Sequence, residues 1–265
     1  MIADQDVVQL FRKIAGIPLG LTDSEIASKE RQLFRGIAGY QWKDAHPMGC
    51  ERHMAIFNRF NTIPKYCFDC YKVLITPRNV VELFKLLMIF EKIALPLDNT
   101  RKCMVEERDY CSGTYKGLVY CRGVNEGNEV HKIVRAVVSE DIAPQVSVTL
   151  KRGCSEFELA YPGFERAGSG SSIMRYRKDW KIHEDFYDSN FGFHPAILLN
   201  KNIPVVSADG RIIYGPKDIL SMQYWLRYAA TIGDMSYLTI TGASMQPIPN
   251  LNRQPFKNTT TPTNK

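Results

Sequence analysis

Cys50, His53, Cys67 and Cys70 stand in a C-x2-H, thirteen-residue gap, C-x2-C pattern. Two knuckles of that spacing bring four soft or borderline donors within reach of one ion, the donor set of a tetrahedral Zn2+. Four protein ligands leave no open position, so the expected chemistry is structural rather than catalytic. The competing reading is that these thiols are small buried hydrophobes whose spacing coincides. Cys103, Cys121 and Cys154 fall on three further expected strands and Cys111 on a loop, where packed thiols are the expectation. A set mixing them with Cys70, as around an iron–sulfur cluster, has no compact spacing behind it.

A second group could do acid–base work. His183, Glu184 and Asp185 are consecutive, with Asp188 and His194 downstream. Two histidines and a carboxylate form the facial set of non-haem iron enzymes, although those sites usually draw the last histidine from a distant strand. Glu184 or Asp185 would otherwise serve as a general base. A polar loop with a surface histidine explains the cluster equally well.

The third group is cationic. Lys72, Arg101, Arg108, Lys116, Arg122, Lys151 and Arg152 fall in or beside four expected strands, interleaved with Tyr71, Tyr115 and Tyr120. On one sheet face they would hold phosphates while rings stack on bases. The plain alternative is a solvated sheet with cross-strand pairs to Glu106, Glu107 and Glu156. Four familiar signatures are missing: G-x-x-x-x-G-K-[ST], G-x-G-x-x-G, G-x-S-x-G and H-E-x-x-H.

These residues need elements to position them. Val7, Val8, Leu10, Phe11 and Ile14 share one helical face, and Thr22 to Glu25 read as the cap of a second helix through Ile37. A strand is expected over 67–75, with a knuckle at Cys67 and Cys70 before regular pairing near Tyr71. Asn79 then caps a helix from Val80 to about Ala94. Strands follow over 101–108 and 115–122, then a helix capped at Asn125–Glu126 and a last strand over 146–159.

The order β-α-β-β-α-β resembles the ferredoxin-like arrangement, an α+β fold whose sheet carries two helices on one face. RNA-recognition modules share that order. However, Lys116-Gly-Leu-Val-Tyr120 departs from their aromatic third-strand signature. The open face needs a covering segment, ligand or partner, and the regions 1–45 and 165–265 are available for it.

The organisation expected is a helical lead-in with the first metal knuckle (1–65), a ferredoxin-like core (66–164), a mixed α/β extension (165–245) and a flexible tail (246–265). A boundary is placed at Gly168 to Ser172, a hairpin about Asp209–Gly210, and a helix near Asp218 to Thr231. Forty-five per cent hydrophobic residues over 265 positions suffice for a sizeable core. There is no apolar run of membrane-spanning length and no basic–apolar leader, and seven cysteines clustered beside histidine suit a reducing compartment. The cytoplasm is therefore expected, with no membrane partner.

A net charge of +6 favours an anionic ligand without demanding one. Three readings follow. The first is a zinc-stabilised protein that holds RNA or a phosphorylated, nucleotide-like molecule on a basic sheet. The second is an enzyme using the His183 cluster on a phosphorylated or nucleotide-linked substrate. The third is an interaction subunit docking a protein on the open face.

Overall fold

A short run rich in β-branched and aromatic residues between a knuckle and a turn makes β2 (Cys70–Thr76), with Tyr71, Val73 and Ile75 buried on one side. The structure is a computed structural model that describes residues 1–15, 40–43, 49–168, 170, 173–191, 205–206, 212–213 and 216–245. The second N-terminal helix, the Asp209–Gly210 turn, His194 and the tail lie outside these residues. Among the described residues, the helices ahead of β2 are α1 (Asp4–Ala15) and α2 (Cys50–Phe60). Between α2 and β2, a 3-10 turn at Lys65–Phe68 supplies the expected knuckle.

Asn79 ends the turn after β2, its side chain accepting the Glu82 N–H at 2.9 Å to start α3 (Val80–Lys92). β3 (Arg101–Val105) and β4 (Tyr115–Arg122) form an antiparallel pair. α4 (Gly123–Asp141) begins before the expected Asn125–Glu126 cap and has no side-chain cap. Gly123, at φ 73°, turns the chain directly from strand to helix.

The last strand is shorter than expected: β5 spans Ser147–Arg152, and α5 (Ser155–Ala160) replaces its second half. Gly153 is the reason. It sits at φ 62°, and a Cβ there would meet Phe164 Cε1 at 2.3 Å, so the strand must break at this residue.

Among the described residues, the strands of this sheet pair antiparallel in the order β1 (Tyr40–Lys43), β3, β4, β2, β5. β1 is an edge strand in a stretch expected to lead out of a helix. The result is an α+β architecture. α3 and α4 cover one sheet face, where Val73, Phe84, Phe90, Val119, Val130 and Val134 are fully or almost fully buried.

α6 (Lys181–Phe191) precedes a short hairpin of β6 (Val205–Val206) and β7 (Ile212–Ile213). α7 (Pro216–Ile232) and α8 (Tyr237–Thr241) follow. These last two pack on the α3 side, Trp225 standing edge-on to Phe84 at 5.4 Å, rather than over the open face. Asp234 fastens them there, accepting the Val80 N–H at 2.7 Å and the Tyr115 hydroxyl at 2.6 Å. A smaller aromatic core at the other end joins Ile63, Phe68, Phe157, Phe164 and Trp180. No helix among the described residues is long and apolar enough to cross a membrane.

Candidate functional site

Strand alternation sorts the basic residues between two faces. Lys72 pairs across to Tyr120 and Lys151, while Lys102 and Lys116 pair with Leu118 and Met104, all on the face away from α3 and α4. Here Leu74, Leu118, Tyr120 and Met104 form a small apolar floor. A cavity of about 200 Å³ opens over it, walled by Lys72, Lys102, Lys116, Lys151 and Arg108. The carboxylates facing it are Glu106 and Glu156, and Cys50, Met54, Cys154 and Ser155 complete the rim, so α2 and α5 border the open face.

Glu106 organises the cations. It accepts from Arg108 Nε and Nη2, each at 2.7 Å, and from Lys116 Nζ at 2.9 Å. Burial alone would push its carboxyl up, but these bonds outweigh burial and hold it down at about 2. Arg108 also bonds Glu156, and Lys151 bonds Ser155 Oγ at 2.8 Å and Glu165. Lys102 is pulled down to about 8 by burial and by the neighbouring Lys72 charge.

Three of the seven expected cations are elsewhere. Arg101 is buried on the helix side, donating to the Ile93 carbonyl at 3.1 Å and to Asp98 at 2.8 Å, where it closes the end of α3. Arg152 donates to the carbonyls of Phe164 at 2.9 Å and Met174 at 3.1 Å. Arg122 is exposed, its guanidinium over the Tyr66 ring at 5.4 Å. Of the three tyrosines expected to stack bases, Tyr71 and Tyr115 lie under the helices, and Tyr120 is 9% exposed. Lys102 was absent from the expected set, although period-two alternation separates it from Arg101 and would have found it.

The knuckle residues border one small cavity beside this face. Cys50, His53, Cys67 and Cys70 line a second cavity of about 20 Å³, together with Cys154 and Lys72. His53 stacks on Tyr66 at 5.1 Å between centroids, and burial with the Arg52 charge pulls its imidazole down to about 4. Burial pushes the thiols of Cys67 and Cys70 up, the latter to about 12. The donor types suit zinc. As they stand, no three His, Cys, Asp or Glu side chains among the described residues form a group able to hold an ion. Cys103 and Cys121 are packed on the helix side, as expected for buried thiols.

The His183 cluster diverges, because consecutive helical residues point about 100° apart. His183 Nδ1 lies 2.7 Å from Thr62 Oγ1, and the ring stacks on Phe60 at 4.9 Å. Glu184 accepts from the Lys65 N–H and the Tyr176 hydroxyl, each at 2.9 Å, and from Arg52 at 3.3 Å. Asp185 pairs with Lys181 on the exposed side, and Asp188 takes Arg52 Nε at 2.5 Å. These contacts dock α6 on α2. None of His183, Glu184 and Asp185 lines either cavity.

Comparison with protein-family models, curated proteins and solved structures finds no match to the chain.

Proposed function

We propose that the chain is a binding protein that holds a phosphate-bearing ligand on the basic face of a ferredoxin-like sheet, with a zinc clip at one end. The strand order β3-β4-β2-β5, with two helices on one face, supports the ferredoxin-like reading of the core. The observation that carries the functional reading is the 200 Å³ cavity, where five cations face two carboxylates over an apolar floor. Glu106 engages Arg108 and Lys116, Glu156 also bonds Arg108, and Glu165 bonds Lys151, so the five cations outnumber the carboxylates set against them. A compact phosphorylated molecule suits this cavity better than RNA, since Tyr120 offers no exposed ring for a base.

Calorimetric titration with pyrophosphate and with an oligouridylate, at about 50 and about 200 mM KCl, tests the reading. Pyrophosphate should bind, and more weakly at the higher salt. The Lys102→Met, Lys151→Met double variant should weaken binding roughly 10- to 100-fold with an unchanged circular dichroism spectrum. Absence of binding by either probe at the lower salt would sink it.

A further inference from the structure

Strand pairing brings Cys154 to the cysteines that local spacing groups. Cys50 opens α2, Cys67 lies in the 3-10 turn, Cys70 begins β2, and Cys154 follows Gly153 just past β5, the strand paired with β2. The Gly153 N–H donates to the Cys70 carbonyl at 2.8 Å, tying these two turns backbone to backbone. All four thiols line the 20 Å³ cavity, room for one atom-sized guest, and none is in a disulfide.

Lys72 is a second, independent sign. The residue is 6% exposed, its Nζ stands 3.0 Å from Cys154 Sγ and 5.2 Å from the Tyr120 ring centroid, and it pairs with no carboxylate among the described residues. A buried ammonium is costly unless an anion faces it, and a neutral thiol is a poor counterpart. A metal-bound thiolate would supply that anion permanently.

We propose that Cys50, Cys67, Cys70 and Cys154 form a four-thiolate Zn2+ site, with Cys154 taking the position that local spacing gives to His53 and Lys72 donating to the Cys154 sulfur. The inference rests on the zinc part of the reading above and revises its ligand set. Loading forms four Zn–S bonds and releases four thiol protons, leaving a centre of net charge about −2 against which the Lys72 ammonium stands. The thiols line the cavity wall without meeting. As they stand they form no group able to hold an ion, so loading requires side-chain rotation, each χ1 step between staggered wells moving a sulfur by roughly 3 Å. The loaded site joins α2, the 3-10 turn, β2 and the β5–α5 turn, segments far apart in the chain.

The test uses the full chain, loaded with zinc or stripped with a chelator, treated with N-ethylmaleimide and peptide-mapped. Cys111, half-buried and outside the cavity, is the internal standard. About one zinc per chain should be retained, and Cys50, Cys67, Cys70 and Cys154 should together be alkylated roughly tenfold or more slowly when loaded. His53→Ala should keep its zinc, and in the cobalt-loaded protein Cys154→Ser should lower the sulfur-to-metal charge-transfer band by about a quarter. Zinc retained while Cys154 is alkylated as fast as in the stripped protein, or zinc lost from His53→Ala, would overturn the inference and leave the zinc reading standing. No zinc retained would remove both. The alkylation experiment needs only the wild-type chain, so a Cys154→Ser variant that fails to fold leaves the proposal testable.

Discussion

Glu106 shows how one side chain sets the electrostatics of the open face. Its carboxyl is held at about 2 against an ordinary value near 4.5, so the fold gains stability that is fully present above pH 4.5 and is lost as the pH falls toward 2. Urea unfolding at several pH values should show a loss on the order of 2 kcal/mol across that interval, absent from Glu106→Gln. Lys102 gives the opposite sign. Its ammonium, lowered to about 8, is discharged as the pH rises, so pyrophosphate affinity should fall between pH 7 and about 9, and Lys102→Met should flatten that slope. Calorimetry across the same pH range checks it. Much of this was legible in the sequence, since Lys72, Lys116, Lys151 and Arg108 were expected together. Arg101 and Arg152 were misassigned because a cation adjacent to a correct one along a strand points to the other face.

At the scale of elements, α3 was readable almost to the residue because its signals are local: the Asn79 cap, the apolar stripe and the turn that follows. β1 was not, since four residues carry no alternation to read and owe their conformation to β3. The break after β5 depends on Phe164 closing over Gly153, a contact invisible in the strand's own composition. Gly153→Ala should therefore cost about 2–4 kcal/mol in chemical denaturation, combining the left-handed backbone with the clash. Arg52 fixes another pair of elements by bridging α2 to Glu184 and Asp188 on α6. Arg52→Met should lower stability by about 1–3 kcal/mol and raise amide exchange across 181–191 before it does so in β2 or β4.

For the molecule as a whole, the C-terminal helices could be found from sequence, but their destination could not. The helix near 218–231 was expected and falls within α7, yet its burial against α3 depends on Trp225 meeting Phe84 and on Asp234 reaching Val80 and Tyr115. Those contacts span more than a hundred residues, beyond the reach of periodicity. Trp225→Ala should cost about 3–5 kcal/mol and lower the melting temperature of the whole sheet in one transition, since this tryptophan belongs to the main core. Separate melting of 216–245 would show that these helices are an appendage.

Arg152 has a kinetic consequence. It ends β5, and its guanidinium is covered only when the chain returns to present the carbonyls of Phe164 and Met174 and to lay the Phe164 ring 4.5 Å away. A half-closed state would bury the cation without those acceptors, at a cost of several kcal/mol. The wrap that carries these acceptors is therefore expected to open as one unit rather than in steps. Native-state amide exchange should accordingly report a single shared opening energy for the protected amides of 153–168 and 173–180, and a graded series from one end to the other would refute the latch. The same wrap carries Cys154 and Ser155 on the cavity rim, so a shared opening there should also raise the alkylation rate of Cys154 in the metal-free protein, while an unchanged rate would separate the rim from the latch.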